Sequence, residues 1–336
     1  MRAWQISDSF SIDGLSCNEI PSQPPRPGEA TIRVRAVSLN FRDLLVAKGL
    51  YSKKIPLPLT VCSDCAGEVA AVGEGATRFQ PGDRVCVSFI PGWIDGEIDE
   101  AKARTALGAF AQGVLREELN IAESALVAFP EHLSWEEAAT LPCAGVTAWN
   151  ALVASGGLCA NDWVLTQGSG GVSIFALQFA KALGARVIAT SSSPAKLARL
   201  SELGADETID YRATPDWEEA ARKLTAGRGV DHVIEIGGAA TFNKSVRAVR
   251  MGGRVSLIGN RAEGTAEPNL TAVLMKNVCV QGIFLGSRAM FESMNARVAA
   301  SGIRPAVDRV FDFADAPAAF RAFETGGHFG KVCIRV

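Results

Sequence analysis

Residues 163–196 decide the fold, and they read WVLTQGSGGVSIFALQFAKALGARVIATSSSPAK. An apolar strand at residues 163–166 enters a glycine-rich turn. Apolar residues at helical spacing follow the turn, at Ile174, Phe175, Leu177, Ala180 and Leu183. The helix ends at Gly184, and a second apolar strand covers residues 186–190. A strand, a glycine turn, a helix and a strand in this order form the context in which such glycines indicate dinucleotide binding.

The glycine turn predicts a pyrophosphate site. Its residues are Gly168, Ser169, Gly170, Gly171 and Val172. Glycines allow backbone N–H groups to approach a pyrophosphate closely, and the N-terminus of the helix favours its negative charge. The third glycine of the fingerprint is replaced by a serine, which is still small enough for close packing of the helix on the strand. The alternative interpretation is an ordinary strand–helix–strand unit without a ligand.

The end of the second strand favours NADPH over NADH. An NAD site usually has a carboxylate there for the ribose 2′-hydroxyl, whereas this chain has Ser191, Ser192 and Ser193, followed by Lys196. Hydroxyl groups and a lysine suit a 2′-phosphate. The alternative is that the serines only cap the helix that begins at Pro194.

Composition excludes several classes of function. The chain has 336 residues, a net charge of −2 and 21% charged residues, which gives no electrostatic case for nucleic acid or for an anionic membrane. The first ten residues have no signal-peptide core, and no apolar stretch is long enough for a membrane span. The eight cysteines follow no disulfide framework. We therefore expect a cytoplasmic protein with reduced thiols.

The pattern of elements changes along the chain. Residues 1–125 contain short β-type runs between turns, which indicates a mostly antiparallel β domain. Strands and helices alternate from residue 126 to residue 286, which predicts a parallel sheet covered on both faces. Residues 287–336 return to a strand–helix–strand pattern and are expected to complete the first domain. The predicted fold class is therefore α/β, with a doubly wound parallel-sheet domain.

Four segments and the C-terminus resemble the medium-chain dehydrogenase/reductase superfamily, in particular its zinc-free quinone oxidoreductase branch. The segments are residues 38–51 (SLNFRDLLVAKGLY), 61–85, 141–149 (LPCAGVTAW) and 163–196, and the chain ends with HFGKVCIRV. The first segment also resembles enoyl-reductase domains of fatty-acid and polyketide synthases. The resemblance implies a GroES-like β domain at 1–125, completed by 287–336, and a Rossmann domain at 126–286.

The resemblance also implies that no zinc is bound. Zinc-dependent relatives use a Cys, a His and a Cys as ligands of the catalytic ion, and three protein ligands are needed. The first position falls within residues 40–43, which contain neither Cys nor His, and the second is Ser63. Only the third is retained, as Cys143. A Cys62–Cys65 redox pair is a weaker interpretation than packing, because the pair enters a strand and not a helix.

Without a metal, a conjugated carbonyl is an easier hydride acceptor than an isolated ketone, because hydrogen-bond donors can stabilise the enolate oxygen. A quinone, an enone or a 2-enoyl compound is therefore the predicted substrate. One alternative is a zinc-free alcohol dehydrogenase or aldehyde reductase. Another is an NADPH-binding structural or sensor protein without turnover.

The resemblance assigns roles to individual residues. Tyr51 matches an active-site tyrosine that donates a proton or a hydrogen bond, and Asn40 matches a residue that contacts the nicotinamide ribose. Tyr211 is expected near the 2′-phosphate of the adenosine. Arg42 and Asp43 are interpreted as structural partners, because charges in an apolar stretch are seldom unpaired.

Further cofactor contacts follow from the ends of the later strands and from matching positions. They are Thr147, Gly237, Gly238, Ile258, Gly259, Asn260, Phe284, Leu285 and Phe329. The resemblance also implies a homodimer formed along the sixth strand of the parallel sheet, near residues 278–284.

Overall fold

A computed structural model describes residues 1–260, 264 and 266–336. The chain forms two compact units: residues 1–146 with 286–336, here the first unit, and residues 147–285, here the second unit. The strands are β1 Arg2–Ile6, β2 Leu15–Glu19, β3 Glu29–Ser38, β4 Leu59–Thr60, β5 Asp64–Val72, β6 Arg84–Val87, β7 Glu118–Ala122, β8 Leu126–Ala128, β9 Trp163–Gln167, β10 Arg186–Ser191, β11 Glu207–Asp210, β12 Val230–Glu235, β13 Val249–Leu257, β14 Cys279–Gly282, β15 Val307–Asp312 and β16 Lys331–Arg335.

Eleven α-helical segments occur in the described part of the chain. They are α1 Phe41–Ala47, α2 Glu100–Ala103, α3 Trp135–Ala139, α4 Val146–Trp149, α5 Gly171–Ala182, α6 Pro194–Glu202, α7 Trp217–Leu224, α8 Ala239–Ala248, α9 Leu270–Met275, α10 Arg288–Ser301 and α11 Ala316–Glu324. Short 3₁₀ turns lie at Glu123–Ala125 and Phe313–Asp315, and π-helical turns flank α4 at Leu141–Gly145 and Asn150–Ala154. None of the helices in these described ranges combines the length and the apolarity needed to cross a bilayer.

The first unit is built on a seven-stranded sheet. Six strands run in the order β15-β16-β3-β5-β6-β8, and β7 also pairs with β3. All pairs are antiparallel except β15 with β16. A smaller sheet has the order β2-β1-β4. The apolar core of the first unit includes Ile32, Val34, Val69 and Ile334, which lie on strands of the seven-stranded sheet. Because β16 pairs with β3, the C-terminal residues complete the sheet that the N-terminal residues begin.

The boundary between the two units differs from the one that the sequence predicts at residues 125 and 126. Residues 126–146 belong to the first unit because β8 pairs with β6 and α3 packs on β3 and β5. The helical pattern there is genuine: Ser134 and Glu137 form a capping box at the start of α3. Periodicity identifies a helix but does not show which sheet it packs against.

The second unit is a six-stranded, fully parallel sheet in the order β11-β10-β9-β12-β13-β14. This arrangement confirms the predicted doubly wound α/β fold. All residues of β12 are buried, as are all but the first of β9. Strands at the centre of a parallel sheet are covered on both faces, which explains why they read as continuous apolar runs.

Two strand boundaries differ from the sequence prediction. The sequence predicts a strand over residues 253–258, whereas β13 begins at Val249, because Gly252 adopts a φ of 67° inside a strand that continues through it. Register between β12 and β13 also shifts between Val230 and His232. A glycine pair that resembles a turn is thus an irregularity within a strand. β14 is shorter than predicted and covers only Cys279–Gly282.

Candidate functional site

The turn from β9 to α5 is shaped by glycines. Gly168 has a φ of 70°, in the left-handed region that favours glycine. Gly170 precedes α5 with an extended backbone and makes no side-chain capping hydrogen bond. The first N–H groups of this 12-residue helix therefore have no side-chain acceptor at the cap, and the positive end of its dipole is at the same turn. Both properties suit a pyrophosphate.

Ser173 occupies the third position of the glycine fingerprint and is fully buried. Its hydroxyl donates a hydrogen bond to the backbone oxygen of Gln167 at 2.6 Å. This bond satisfies the hydroxyl and ties the first turn of α5 to the end of β9. Ser169 is also buried, and Val172 lies half-buried in the first turn of α5.

β9 lies between β10 and β12, where the direction of the chain order reverses. Ligands of doubly wound sheets bind beyond the carboxyl ends of the strands at this switch point. Gln167 ends β9 and Glu235 ends β12, and the amide nitrogen of Gln167 donates to Glu235 Oε2 at 2.8 Å. Glu235 Oε1 in turn accepts the N–H groups of Gly237 at 2.7 Å and Gly238 at 2.9 Å. The turn after β12 is thereby fixed by a buried carboxylate.

The turns after β12 and β13 approach each other closely. A Cβ atom on Gly238 would lie 2.1 Å from Oδ1 of Asn260, and one on Gly259 would lie 2.6 Å from the oxygen of Ile236. The N–H of Ala239 donates to Asn260 Oδ1 at 3.3 Å. Glycine is required at both positions because no side chain fits between the turns. The predicted contact Ile258 lies in the same turn and is half-buried.

Hydroxyl groups cluster where β10 ends. Ser191 is buried, and its backbone oxygen accepts the N–H of Tyr211 at 3.1 Å. Ser193 precedes α6 but makes no side-chain capping hydrogen bond, so the capping interpretation of the serines is wrong for this residue. The neighbouring acid, Asp210, accepts the N–H of Arg212 at 2.8 Å in its own turn. Ser192 and Lys196 are partly exposed on the same segment.

Three other predicted cofactor contacts lie in the second unit. Thr147 and Leu285 are buried, whereas Phe284 is exposed. The backbone oxygen of Leu285 accepts the side-chain amide of Asn150. The backbone at Leu285 is therefore held in place by Asn150, whereas the side chain of Phe284 is exposed to solvent.

Asn40 begins a second group of polar residues, in the first unit. It precedes α1, and its backbone N–H donates to Asp43 Oδ2 at 2.8 Å as part of a capping box. Asp43 is fully buried, and its other oxygen lies 3.8 Å from the guanidinium of Arg42. Arg42 and Asp43 thus support the start of α1.

A chain of hydrogen bonds connects Asn40 with a buried lysine and a buried aspartate. Lys331 Nζ donates to Asn40 Oδ1 at 2.5 Å and also to the oxygen of Leu39. Asn40 Nδ2 donates to Ser63 Oγ at 3.4 Å, and Ser63 Oγ donates to Asp64 Oδ1 at 3.0 Å. We call the group formed by Asn40, Arg42, Asp43, Ser63, Asp64, Cys143 and Lys331 the charged cluster.

Burial dominates the electrostatics of the charged cluster. It raises the pKa of Asp64 to about 6, although Lys331 acts in the opposite direction. Burial also raises the pKa of Asp43, against the effect of Arg42. The second oxygen of Asp64 accepts the backbone N–H of Cys143 at 3.0 Å. The pKa of the Cys143 thiol is raised by burial and by Asp64, so the thiol remains protonated at neutral pH.

Tyr51 lies next to the charged cluster. The guanidinium carbon of Arg42 is 5.8 Å from the centre of the Tyr51 ring and 4.0 Å from that of Phe89. Arg42 also donates to the oxygen of Leu107. Tyr51 is 37% exposed, which leaves its ring accessible. The structure thus brings Tyr51 and Asn40 to one side of the first unit through α1 and the loop after it.

The donor set does not fit a metal ion. No group of three or more His, Cys, Asp or Glu side chains with suitable positions exists in the described residues. Where zinc-dependent relatives are expected to place ligands, this chain has the hydroxyl of Ser63 and the protonated thiol of Cys143. The ammonium of Lys331 interacts with the same hydrogen-bond chain, and its positive charge opposes a bound cation.

The Cys62–Cys65 pair is part of the core. Both residues are fully buried. Burial raises the pKa of Cys62 and raises that of Cys65 to about 12. Cys62 has a φ of 67°, and Gly108 and Gly113 pack against its backbone. These contacts support the packing interpretation.

The end of the loop before β16 is buried as well. His328 is buried and stacks on Phe323 with 4.7 Å between ring centres. The predicted contact Phe329 is also buried. In the loop after β6, Trp93 is buried and donates to the oxygen of Gly96 at 2.8 Å, which makes it an anchor of this loop. Phe110 is exposed.

The sequence did not identify two residues of these sites, Gln167 and Glu235, as site residues. Glu235 had a visible signal, because a single acid ends an apolar strand directly before Gly237 and Gly238. Gln167 had a weaker one, as the polar residue before the first turn glycine. Lys331 belongs to residues 328–331, which the resemblance places near the cofactor, but no sequence signal links it to Asn40, 291 positions earlier.

Two protein families match this chain. Residues 26–131 match the alcohol dehydrogenase GroES-like domain family, and residues 171–300 match the zinc-binding dehydrogenase family. A zinc-type alcohol dehydrogenase-like protein of Schizosaccharomyces pombe is 42% identical over 95% of this chain and 93% of its own length. The acryloyl-coenzyme A reductase of Metallosphaera sedula is 29% identical over 96% of both chains. Human quinone oxidoreductase is 30% identical over 85% of this chain and 81% of its own.

Solved structures described as alcohol dehydrogenases also match the whole chain. A Sinorhizobium meliloti 1021 protein, provisionally assigned as an alcohol dehydrogenase, has a TM-score of 0.93 with 41% identity, covering 100% of this chain and 98% of its own. A structure of an NAD-dependent alcohol dehydrogenase has a TM-score of 0.92 with 34% identity, and the match covers 100% of both chains.

Proposed function

Because the chain belongs to the medium-chain dehydrogenase/reductase superfamily of NAD(P)-dependent oxidoreductases, we propose that it is a zinc-independent reductase that uses NADPH to reduce a conjugated carbonyl compound. The observation that carries this proposal is the charged cluster. It places an ammonium, an amide, a hydroxyl and two carboxyl groups where a metal centre would need free donors. Quinones, enones and 2-enoyl compounds are the proposed substrates.

In this proposal, NADPH binds to the second unit. The glycine turn before α5 would bind the pyrophosphate, and Ser191, Ser192, Lys196 and Tyr211 would contact the adenosine 2′-phosphate. The nicotinamide supplies the hydride when the cofactor is bound. The resemblance assigns the nicotinamide ribose to Asn40 of the first unit. Support for NADPH is the absence of a carboxylate from residues 191–193, together with the engagement of Asp210 in its own turn.

The substrate class follows from the available donors. A conjugated acceptor develops negative charge on an oxygen atom, which hydrogen-bond donors can stabilise without a metal. The hydroxyl of Tyr51 is the donor that we assign to this oxygen. The acryloyl-coenzyme A reductase and the human quinone oxidoreductase, by their names, act on compounds of this kind, which supports the proposal.

A second candidate is a zinc-free alcohol dehydrogenase or aldehyde reductase. The names of the more similar relatives favour it, because they contain alcohol dehydrogenase. A third candidate is an NADPH-binding protein without turnover. The three candidates predict different results in a single assay.

The assay follows NADPH oxidation by absorbance with 1,4-benzoquinone, 2-cyclohexenone, crotonyl-CoA and a simple aldehyde. We expect turnover of the conjugated acceptors, a preference for NADPH over NADH, and no effect of a chelator. Turnover of the aldehyde alone would support the second candidate. Tight NADPH binding without turnover would support the third, and inhibition by the chelator would contradict zinc independence.

The role of Tyr51 is tested by two substitutions. Tyr51→Phe removes only the hydroxyl, and Tyr51→Leu also removes the ring. If the hydroxyl stabilises the oxygen, Tyr51→Phe lowers kcat at least about tenfold and leaves NADPH affinity unchanged. Tyr51→Leu should then be no worse in kcat than Tyr51→Phe. Equal kcat values for Tyr51→Phe and the wild type would contradict this role.

We also propose that the protein is a homodimer formed along β14. This strand is at the edge of the parallel sheet, and all four of its residues are exposed. Nearby in sequence, α9 exposes Leu270, Leu274 and Met275. An open strand edge accompanied by exposed apolar side chains favours pairing with a second copy. Sedimentation at micromolar concentration should give a dimer, and Val280→Lys should give a monomer.

A further inference from the structure

Lys331 is a buried lysine at the start of the last strand. In the sheet of the first unit Cys333 lies opposite Ser38, and the N–H of Leu39 donates to the oxygen of Val332 at 2.9 Å. This register continues past the end of β3 and places Lys331 beside Asn40. Lys331 is 4% exposed, so its ammonium lies in the interior.

The ammonium is held by neutral groups. Nζ donates to the backbone oxygen of Leu39 and to Oδ1 of Asn40. No carboxylate among the described residues forms an ion pair with it within 4.0 Å, and it acts on Asp64 and Asp43 only from a longer distance, where its charge opposes the rise of their pKa values. Burial of a charge without a direct counter-ion is unfavourable. An apolar side chain of similar length would fill the same volume without this cost.

The direction of every hydrogen bond in this chain is fixed by the charges at its two ends. The ammonium can only donate, so Asn40 must present its oxygen to Lys331. The Asn40 nitrogen then donates to Ser63, which donates to Asp64. A reversed Asn40 amide would face the ammonium with its own N–H groups. Replacing Lys331 by an apolar residue removes the charge that excludes this orientation.

We propose that Lys331 is a positioning residue, which fixes the amide orientation of Asn40 and thereby the group that Asn40 offers to the nicotinamide ribose. This inference rests on the proposed function, because the contact of Asn40 with the cofactor is part of it. Lys331 does not contact the reacting atoms; it acts through Asn40.

The first test is Lys331→Met, with Lys276→Met as the matched control. Lys276 is also a partly buried lysine bonded to backbone oxygens, those of Val246, Arg247 and Val249, but it lies in the second unit. A displacement of about 1 Å in a positioning contact lowers rates by up to about a hundredfold. We expect Lys331→Met to lower kcat at least about tenfold, with NADPH affinity within about twofold of the wild type. Lys276→Met should retain kcat.

The variant Asn40→Ala tests whether Lys331 acts through Asn40. If Lys331 acts through Asn40, Lys331→Met causes no further loss of kcat in an Asn40→Ala background. An additional tenfold loss in this background would overturn the inference. Unchanged kcat per folded molecule in the single variant Lys331→Met would overturn it as well, and would leave only a structural role for the lysine.

Lys331→Arg covers the case in which the methionine variant fails to fold. Its guanidinium can only donate, as the ammonium does, so kcat should recover to within about threefold of the wild type. Failure of a well-folded arginine variant to recover kcat relative to Lys331→Met would contradict the orientation argument.

A readout without turnover separates this inference from the proposed function. The side-chain amide signals of Asn40 in a ¹⁵N NMR spectrum should shift in Lys331→Met and remain in place in Lys276→Met. Unchanged Asn40 signals in Lys331→Met overturn the inference whatever the activity. If the signals shift but the wild type neither binds NADPH nor reduces any acceptor, the proposed function fails while the control of Asn40 by Lys331 stands.

Discussion

Glu235 in the second unit and Asp64 in the first are both fully buried carboxylates, yet they are satisfied in different ways. Glu235 accepts five hydrogen bonds, two of them from the backbone of the following turn. Asp64 accepts two, and burial raises its pKa to about 6. The first carboxylate makes a rigid turn, whereas the second remains close to protonation at physiological pH. We therefore expect the two sites to be sensitive to different substitutions. The glycine turns are destabilised by added side-chain volume, whereas the charged cluster is affected by changes of charge.

The largest effect is expected from added volume at Gly238. Gly238→Ala places a Cβ atom 2.1 Å from Asn260 Oδ1 in a backbone conformation with a φ of 79°. We expect it to lower the free energy of unfolding by about 4 kcal/mol, as the sum of overpacking and backbone strain. Urea unfolding of the purified variant measures this change, and NADPH affinity should fall with it.

Gly157→Ala is the matched control for this substitution. Gly157 also has a positive φ, of 67°, but a Cβ atom there meets nothing within 4 Å. It should cost about 1–2 kcal/mol, which is the backbone strain alone. Equal destabilisation by the two variants would show that crowding between the turns has no role.

A change of charge at Asp64 comes next. The folded state keeps its proton up to a pKa of about 6, whereas the unfolded chain loses it near 3.8. The native state therefore binds more protons between these values, and the contribution of Asp64 to stability decreases as pH rises from about 4 to 6. The decrease is on the order of 3 kcal/mol. Asp64→Asn should flatten this part of the profile, which urea unfolding at a series of pH values measures.

Asp231 of the second unit gives the opposite sign. Hydrogen bonds from Arg228 and Arg250 outweigh its burial and lower its pKa to about 2. Its stabilising contribution is lost as pH falls from 3.8 towards 2. Asp231→Asn should therefore leave the profile between pH 4 and 6 intact. If Asp64→Asn does not change the dependence of stability on pH between about 4 and 6, then Asp64 makes no pH-dependent contribution to stability in this range.

The smallest effect is expected at the adenosine end of the cofactor site. Lys196→Ala should weaken NADPH binding about tenfold, because a lysine contributes a charged hydrogen bond to a 2′-phosphate, and it should leave NADH binding unchanged. Fluorescence titration with both cofactors measures this. Lys181→Ala is the control, since Lys181 on α5 pairs with Asp206 at 2.8 Å. Equal weakening of both cofactors in Lys196→Ala would remove the argument for NADPH.

The fold and the glycine turn could be predicted from the sequence because their determinants are local. A single stretch of sequence contains Gly168, Gly170 and the apolar face of α5. The glycines predict a turn, and the apolar face predicts a helix. The alternation of strands and helices was sufficient to predict a parallel sheet. The start of β13 was misplaced because Gly252 and Gly253 resemble a turn in sequence but lie within a strand.

The charged cluster could not be predicted in the same way because its members come from distant segments. The sequence relates Asn40 to a cofactor and Arg42 to Asp43, and it places Lys331 in the last strand, but it does not connect the lysine with Asn40. Their relation depends on the pairing of β16 with β3, which periodicity does not determine. The unit boundary was misplaced for the same reason, since only the pairing of β8 with β6 assigns residues 126–128.

The pairing of β16 with β3 also orders events during synthesis. Asn40 leaves the ribosome early, but the lysine that orients it follows 291 residues later. All strands of the parallel sheet of the second unit are synthesised while the sheet of the first unit still lacks β15 and β16. Asn40 consequently acquires its orienting partner only at the end of translation.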